Sequence, residues 1–259
     1  MYPEQGQVKR IPVLKKKRKR KANLFLLIVL FLFFISVLIL LFLKSPFSKV
    51  SDILVEGNLL LSRQEVIDHS GIKIGDSIFQ VISGSVIERL TKLPEISEAK
   101  VEKKFPGKLI ISVKEYSVIS FWLENGKLYP ITSNGKILTH REWKSQFVND
   151  PIITQWDDKS KLPELAKELS NLPSYLRERI SDIHLEPTPS YPDRIHFYTL
   201  SGYEVYSTIS GFAKKFELYP QILKKIESKD QDRSYGIIYL LDGTWYRTYE
   251  TNSEANMSE

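Results

Sequence analysis

The sequence predicts an α+β protein: a single transmembrane helix, then a β-α-α-β-β domain, then a second strand-rich α+β domain. Three observations carry this. The stretch from Leu24 to Leu43 is apolar at every position except Ser36. Two helix-like segments follow, bracketed by strand-like ones. From Ile119 onward, apolar alternating runs are punctuated by Asn-Gly, Ser-Gly and Asp-Gly pairs.

The apolar stretch is about 20 residues, which at ~1.5 Å per residue matches the ~30 Å hydrocarbon core of a bilayer. Lys44-Ser45-Pro46-Phe47 offers no small-x-small cleavage site, so an uncleaved anchor is expected. Nine Lys/Arg precede the span (Lys9, Arg10 and Lys15 through Lys21) against one acid, Glu4. The positive-inside rule then keeps the N-terminus cytoplasmic and exports the rest. The chain holds 37 Lys+Arg and 31 Asp+Glu, so without this tail 28 basic residues face 30 acidic ones. The basic character belongs to the tail, and nucleic acid is not expected as a partner. With no cysteine, the exported part must rest on its apolar core.

The linker 44–49 is short and broken by Pro46. "KVSDILVEG" reads as a strand ended by Gly57, and "LSRQEVIDHSG" as a helix with a Ser62/Glu65 capping box and Gly71 at its C-terminus. "SVIERLTKLP" suggests the same box at Ser85 and Glu88, with Val86, Ile87, Leu90 and Leu93 as its apolar stripe. Strands Ala99–Phe105 and Leu109–Tyr116 turn at Pro106-Gly107, and Leu109, Ile111 and Val113 share one face. In the second domain, Asn125-Gly126 and Asn134-Gly135 signal hairpins. "KLPELAKELSNLP" is a helix with Leu162, Leu165, Ala166 and Leu169 on one stripe. "DRIHFYTLSGYEVYST" gives two strands, "FAKKFELYPQILKKIES" one helix bent near Pro220, and "GIIYLLDGTWYRTYE" a last hairpin at Asp242-Gly243. The expected divisions are a basic tail 1–23, the span 24–43, the linker 44–49, domains 50–118 and 119–250, and a disordered tail 251–259.

Several stretches carry a resemblance. "VEGN" at 55–58, "GDSIF" at 75–79, "LPEI" at 93–96 and "AKVEKKFPGKLIISVKEY" at 99–116 resemble the POTRA domain of the FtsQ/DivIB family of bacterial cell-division proteins. "ENGKLYPITSNGKIL" extends the match, and the Lys-rich N-terminus resembles the Gram-positive form, DivIB. The chain departs from the family pattern in lacking a proline after Glu115. The resemblance implies a non-enzymatic bitopic scaffold at the division septum, binding FtsL and DivIC/FtsB and supporting septal peptidoglycan synthesis.

A membrane-anchored cell-wall enzyme with an unrecognised active site is the alternative. S-x-x-K occurs at Ser70, Ser97 and Ser133, without S-D-N or K-T-G. There is no Cys nucleophile, H-E-x-x-H, G-x-S-x-G or Gly-rich phosphate loop. His69, His140, His184 and His196 lie far apart in sequence, and Asp157-Asp158 and Asp230-Gln231-Asp232 read as solvated loops. No cofactor, metal or small-molecule substrate is expected. What remains is binding. The final strand, Thr244–Glu250, alternates Trp245, Arg247 and Tyr249 on one face with Tyr246 and Thr248 on the other. Trp, Tyr and Arg dominate interface energetics, and an edge strand accepts a partner's strand through main-chain hydrogen bonds. Trp245 and Tyr249 could equally fill their own core. The resemblance places partner contacts within Ile237–Tyr249, and Ile237, Tyr239, Leu241, Trp245, Arg247 and Tyr249 are the candidates.

Overall fold

The structure is a computed structural model that describes residues 23–144, 148–229 and 235–249. The expected tails fall almost wholly outside these residues, as does Asp230-Gln231-Asp232.

Helix α1, Leu24–Lys44, is long and apolar enough to cross a bilayer, and none of its side chains is buried against the rest of the chain. A single 3-10 turn, Pro46–Ser48, follows. Buried Ser48 reaches back to it, its hydroxyl donating to the carbonyls of Leu43 (2.6 Å) and Ser45 (2.9 Å).

The first domain comprises β1 (Asp52–Glu56), α2 (Arg63–Ser70), α3 (Ser83–Thr91), β2 (Ile96–Lys104) and β3 (Lys108–Glu115). Strand β3 lies in the middle, parallel to β1 and antiparallel to β2. Leu109, Ile111 and Val113 point to the helices and are buried with Val66, Val86 and Leu90. Gly57 ends β1 at φ +81°, where a Cβ would lie 2.1 Å from the Val113 carbonyl oxygen, so only glycine fits. The Ser62/Glu65 capping box forms on α2, and Gly71 closes that helix in the left-handed region. The expected second box does not form. Helix α3 starts at Ser83 behind Ile82, which makes no side-chain cap, and Ser85 already lies within the first turn. Ile82 is 67% exposed and Val86 buried, so orientation of the apolar stripe, not capping chemistry, sets this helix start.

Only Tyr116 and Ser117 separate β3 from β4 (Val118–Glu124), despite the missing proline. Strand β5 (Lys127–Thr132) returns through Asn125-Gly126, both at positive φ, as a two-residue hairpin demands. Then come β6 (Ile152–Ile153), α4 (Leu162–Asn171), α5 (Ser174–Arg177), β7 (Ile180–Leu185), β8 (Arg194–Thr199), β9 (Glu204–Thr208), α6 (Phe212–Phe216), α7 (Tyr219–Lys229), β10 (Gly236–Leu240) and β11 (Thr244–Thr248). The eight strands form one sheet in the order β11-β10-β9-β8-β7-β6-β4-β5. Helices α4, α6 and α7 pack on one face, burying Leu165, Leu169, Phe212, Phe216 and Tyr219 against Ile183, Phe197, Val205 and Ile238. The expected single helix around Pro220 is two helices. Proline's ring would clash with the carbonyl four residues back, at Phe216, and α6 ends there; Pro220 then sits in the first turn of α7, where no N–H is needed.

The two domains meet through buried Glu95, beside the start of β2. Its Oε1 lies 2.8 Å from His140 Nε2 and accepts from Arg141 Nε at 3.3 Å. Arg141 also donates to the Leu60 carbonyl (2.9 Å) and to Glu65 (2.8 Å). Tyr116 N donates to the Glu95 carbonyl at 2.7 Å.

Candidate functional site

The helices cover one face of the large sheet, and residues of opposite parity project from the other. On β7 to β11 those residues are unusual in kind. Register sets His184 opposite His196, His196 opposite Tyr206, Tyr206 opposite Tyr239, and Tyr239 opposite Trp245. The result is a continuous row of rings across five strands. Trp245 stacks on Tyr239 (centroids 4.9 Å apart, 13° between planes), Tyr239 on Tyr206 (5.4 Å, 14°) and Tyr206 on His196 (4.5 Å, 11°). His184 lies 5.7 Å from His196. The Arg194 guanidinium sits 5.0 Å over the Tyr206 ring, a cation–π contact.

Glu204 organises one flank of this row. It accepts from the Tyr206 hydroxyl (2.9 Å) and the Tyr249 hydroxyl (2.6 Å), tying the residue after β11 to β9. His196 Nε2 lies 2.9 Å from the same carboxylate without hydrogen-bond geometry. Burial pushes the Tyr206 and Tyr249 phenols above their ordinary range, and the Glu204 hydrogen bonds push the same way. Burial lowers the His196 imidazole's pKa, opposed by Glu204 and Glu186. His184 bonds to Asp182 (2.5 Å) and Thr154 (2.9 Å).

The sequence candidates fall as follows. Ile237, Tyr239, Trp245, Arg247 and Tyr249 share the helix-free face, while half-buried Leu241 leads into the Asp242-Gly243 turn. Trp245 is 47% and Tyr249 45% exposed, so neither fills its own core. Tyr246, on the opposite face, does pack against it. Among the described residues, nothing pairs with the outer side of β11. The other edge differs: β5 is bridged by Trp143 and Ile137 of the following segment. A groove of about 600 Å³ runs beside β11, lined by Ile222, Lys225 and Ile226 of α7 and by Thr244, Trp245 and Tyr246.

Sequence reasoning missed His184, His196, Tyr206 and Glu204. The histidines far apart in sequence include two that become cross-strand neighbours. The strand character of "RIHFYT" and "EVYST" is legible in the sequence, but their register is not. Among the described residues no His/Cys/Asp/Glu group could hold a metal ion. Two of the S-x-x-K serines are occupied with main chain: Ser70 Oγ donates to the Ile67 carbonyl and Ser97 Oγ to that of Lys114. Asp158 caps a turn through Ser160.

Comparison with known proteins agrees with this architecture. The family description "POTRA domain, FtsQ-type" matches residues 48–116, and "Cell division protein FtsQ/DivIB, C-terminal" matches residues 120–239. Cell division protein DivIB of Geobacillus kaustophilus is 34% identical over 240 residues, covering 93% of this chain and 90% of that protein. DivIB of Bacillus subtilis is 33% identical over 220 residues, covering 85% and 81%. The solved extracytoplasmic domain of the trans isomer of DivIB from Geobacillus stearothermophilus is 30% identical, with a TM-score of 0.39, covering 46% of this chain and 98% of that one. With both domain descriptions in chain order and relatives matching nearly end to end, the chain belongs to the FtsQ/DivIB family of cell division proteins.

Proposed function

We propose that the open edge of β11 takes up a strand from another division protein, of DivIC/FtsB type, and that FtsL joins the same assembly. Family membership makes the chain a non-enzymatic cell division protein, so its work is binding. The observation that carries the reading is that β11 is an edge strand with Trp245 and Arg247 exposed on it and Tyr249 exposed just past its end. An added strand would extend the ladder through main-chain hydrogen bonds and continue the ring row on one face. On the other face its side chains would enter the groove beside α7. Ile237, Tyr239 and Leu241 support that edge from β10 and its turn. The basic tail favours a cytoplasmic N-terminus, with domains 50–118 and 119–250 exported and the chain gathered at the septum. Anchoring acts stoichiometrically, raising the effective concentration of the exported part near other anchored partners.

The test is photo-crosslinking in dividing cells from a photoreactive residue at Tyr249, with mass spectrometry of the adduct. A small single-span coiled-coil protein in the adduct supports strand addition. An adduct formed only from the first domain's sheet would move the interface away from β11.

A further inference from the structure

The end of α1 is built into the first domain rather than hung from it. Three stretches converge there: the turn after α1, the loop before α3, and the turn between β2 and β3. Ile78 N donates to the Ser48 carbonyl (2.9 Å), Val50 N to that of Asp76 (2.8 Å), and Ser51 N to that of Gly107 (2.7 Å). Each stretch carries apolar side chains that the core does not use. Phe47 is 64%, Phe79 48%, Ile82 67% and Phe105 58% exposed. The rings form a chain from the helix outward: Phe42, in the last turn of α1, lies 6.1 Å from Phe79, and Phe79 lies 5.6 Å from Phe105.

The charges around these rings are mostly cationic. Lys44 ends α1, Lys49 follows the turn, and Lys103, Lys104 and Lys108 flank Phe105, all exposed. Of the nearby acids, Glu102 pairs with Lys104 at 3.1 Å, Asp52, opposite Lys108 in the ladder, lies 3.6 Å from Arg63, and Asp76 accepts from the Lys73 backbone N–H at 2.8 Å. Exposed apolar side chains clustered within a basic rim mark an interaction surface. Phe side chains set beside lysines, as on the apolar face of an interfacial helix, bury about 5–10 Å into the boundary between headgroups and acyl chains, and the lysines are drawn to anionic lipid.

We propose that this end of the first domain is a membrane foot. Phe47, Phe79, Ile82 and Phe105 sink into the boundary between headgroups and acyl chains of the leaflet from which α1 emerges, and Lys49, Lys103, Lys104 and Lys108 meet anionic lipid phosphates. The occupant follows from continuity, because the ring chain begins on the helix that crosses that leaflet. The inference therefore rests on α1 lying in the bilayer. It fixes the first domain's tilt on the membrane instead of leaving it to swing on a linker. Through the Glu95–Arg141 contact it also sets the height of β11.

The chain has no cysteine, so single labels are simple to place. Full-length protein carrying a nitroxide at Phe105→Cys, Phe79→Cys, Ser36→Cys or Leu200→Cys is reconstituted into phosphatidylcholine vesicles with or without phosphatidylglycerol. Depth is read from collisions with oxygen against a water-soluble nickel complex. Labels at 105 and 79 should favour oxygen several-fold more than the label at Leu200, which is 72% exposed on the second domain. Part of that preference should disappear without phosphatidylglycerol, or when Lys103, Lys104 and Lys108 are all replaced by Glu. A label at 105 as wet as the one at 200, with the label at 36 deep in the bilayer, overturns the foot and leaves the anchor standing. A wet label at 36 overturns the anchor and the foot together. A preference at 105 that ignores both lipid charge and the lysines overturns the role given to anionic lipid.

Discussion

Trp245 shows how position decides what a residue is worth. Its ring is half exposed and stacks on Tyr239 alone among the described ring contacts. Such a stack contributes about 0.5–1.5 kcal/mol. Trp245→Asp should therefore lower the melting temperature by only a few degrees while abolishing co-purification of the partner; a melt carried out beside the pull-down checks both. A loss comparable to that of Phe197→Ala, a core truncation of about 3–5 kcal/mol, would mean that Trp245 is structural. Glu65 works in the opposite way, through local hydrogen bonds. Those from Ser62 first, then that from Arg141, hold its carboxyl at a pKa of about 2. Because the folded value is depressed, its stabilising contribution is present above the ordinary carboxylate range and is lost as pH falls from about 4.5 toward 2. Glu65→Gln should flatten that acid limb, seen as a smaller difference between urea midpoints at pH 5 and pH 3.

At the scale of elements, the clasp between the domains depends on one arginine. Arg141 reaches the carbonyl that precedes Leu61, the Glu65 carboxylate of α2 and buried Glu95 before β2. Breaking a fully buried pair costs about 3–5 kcal/mol. Here the Arg141 side chain is 22% exposed and His140 stays 2.8 Å from Glu95, so the loss falls toward or below the lower end of that range. Arg141→Ala should lower the stability of the full chain by that order and split its unfolding into two calorimetric transitions, one per domain. A single transition at an unchanged temperature would show that the clasp does not couple them. The edge strands repeat the lesson. Strand β5 is bridged by the chain that follows it, whereas β11 has no such cover among the described residues, and the sheet is open for extension on one side only.

For the whole molecule, the proposed division of labour is vertical: α1 in the bilayer, the first domain against its surface, and the β11 edge presented above. Protease added to spheroplasts should degrade the chain beyond about Lys49 and leave a protected fragment containing α1. Protection of both domains would reverse the orientation drawn from the basic tail.

The sequence by itself determined what depends on near neighbours. The apolar run of α1, the capping box at Ser62, the positive-φ turn at Asn125-Gly126 and the alternating face of β3 each follow from side chains a few residues apart. The second capping box failed because Ser85 carries the same local signal while burial of Val86 and Leu90 sets the helix start. Only the tertiary structure decided what depends on register. A strand carries no mark of which strand it will lie beside, so the row from His184 to Trp245 exists only once five strands are aligned residue by residue. Arg141 likewise reads as a surface loop residue until folding brings it to Glu95, 46 positions away, where burial makes their charges need each other.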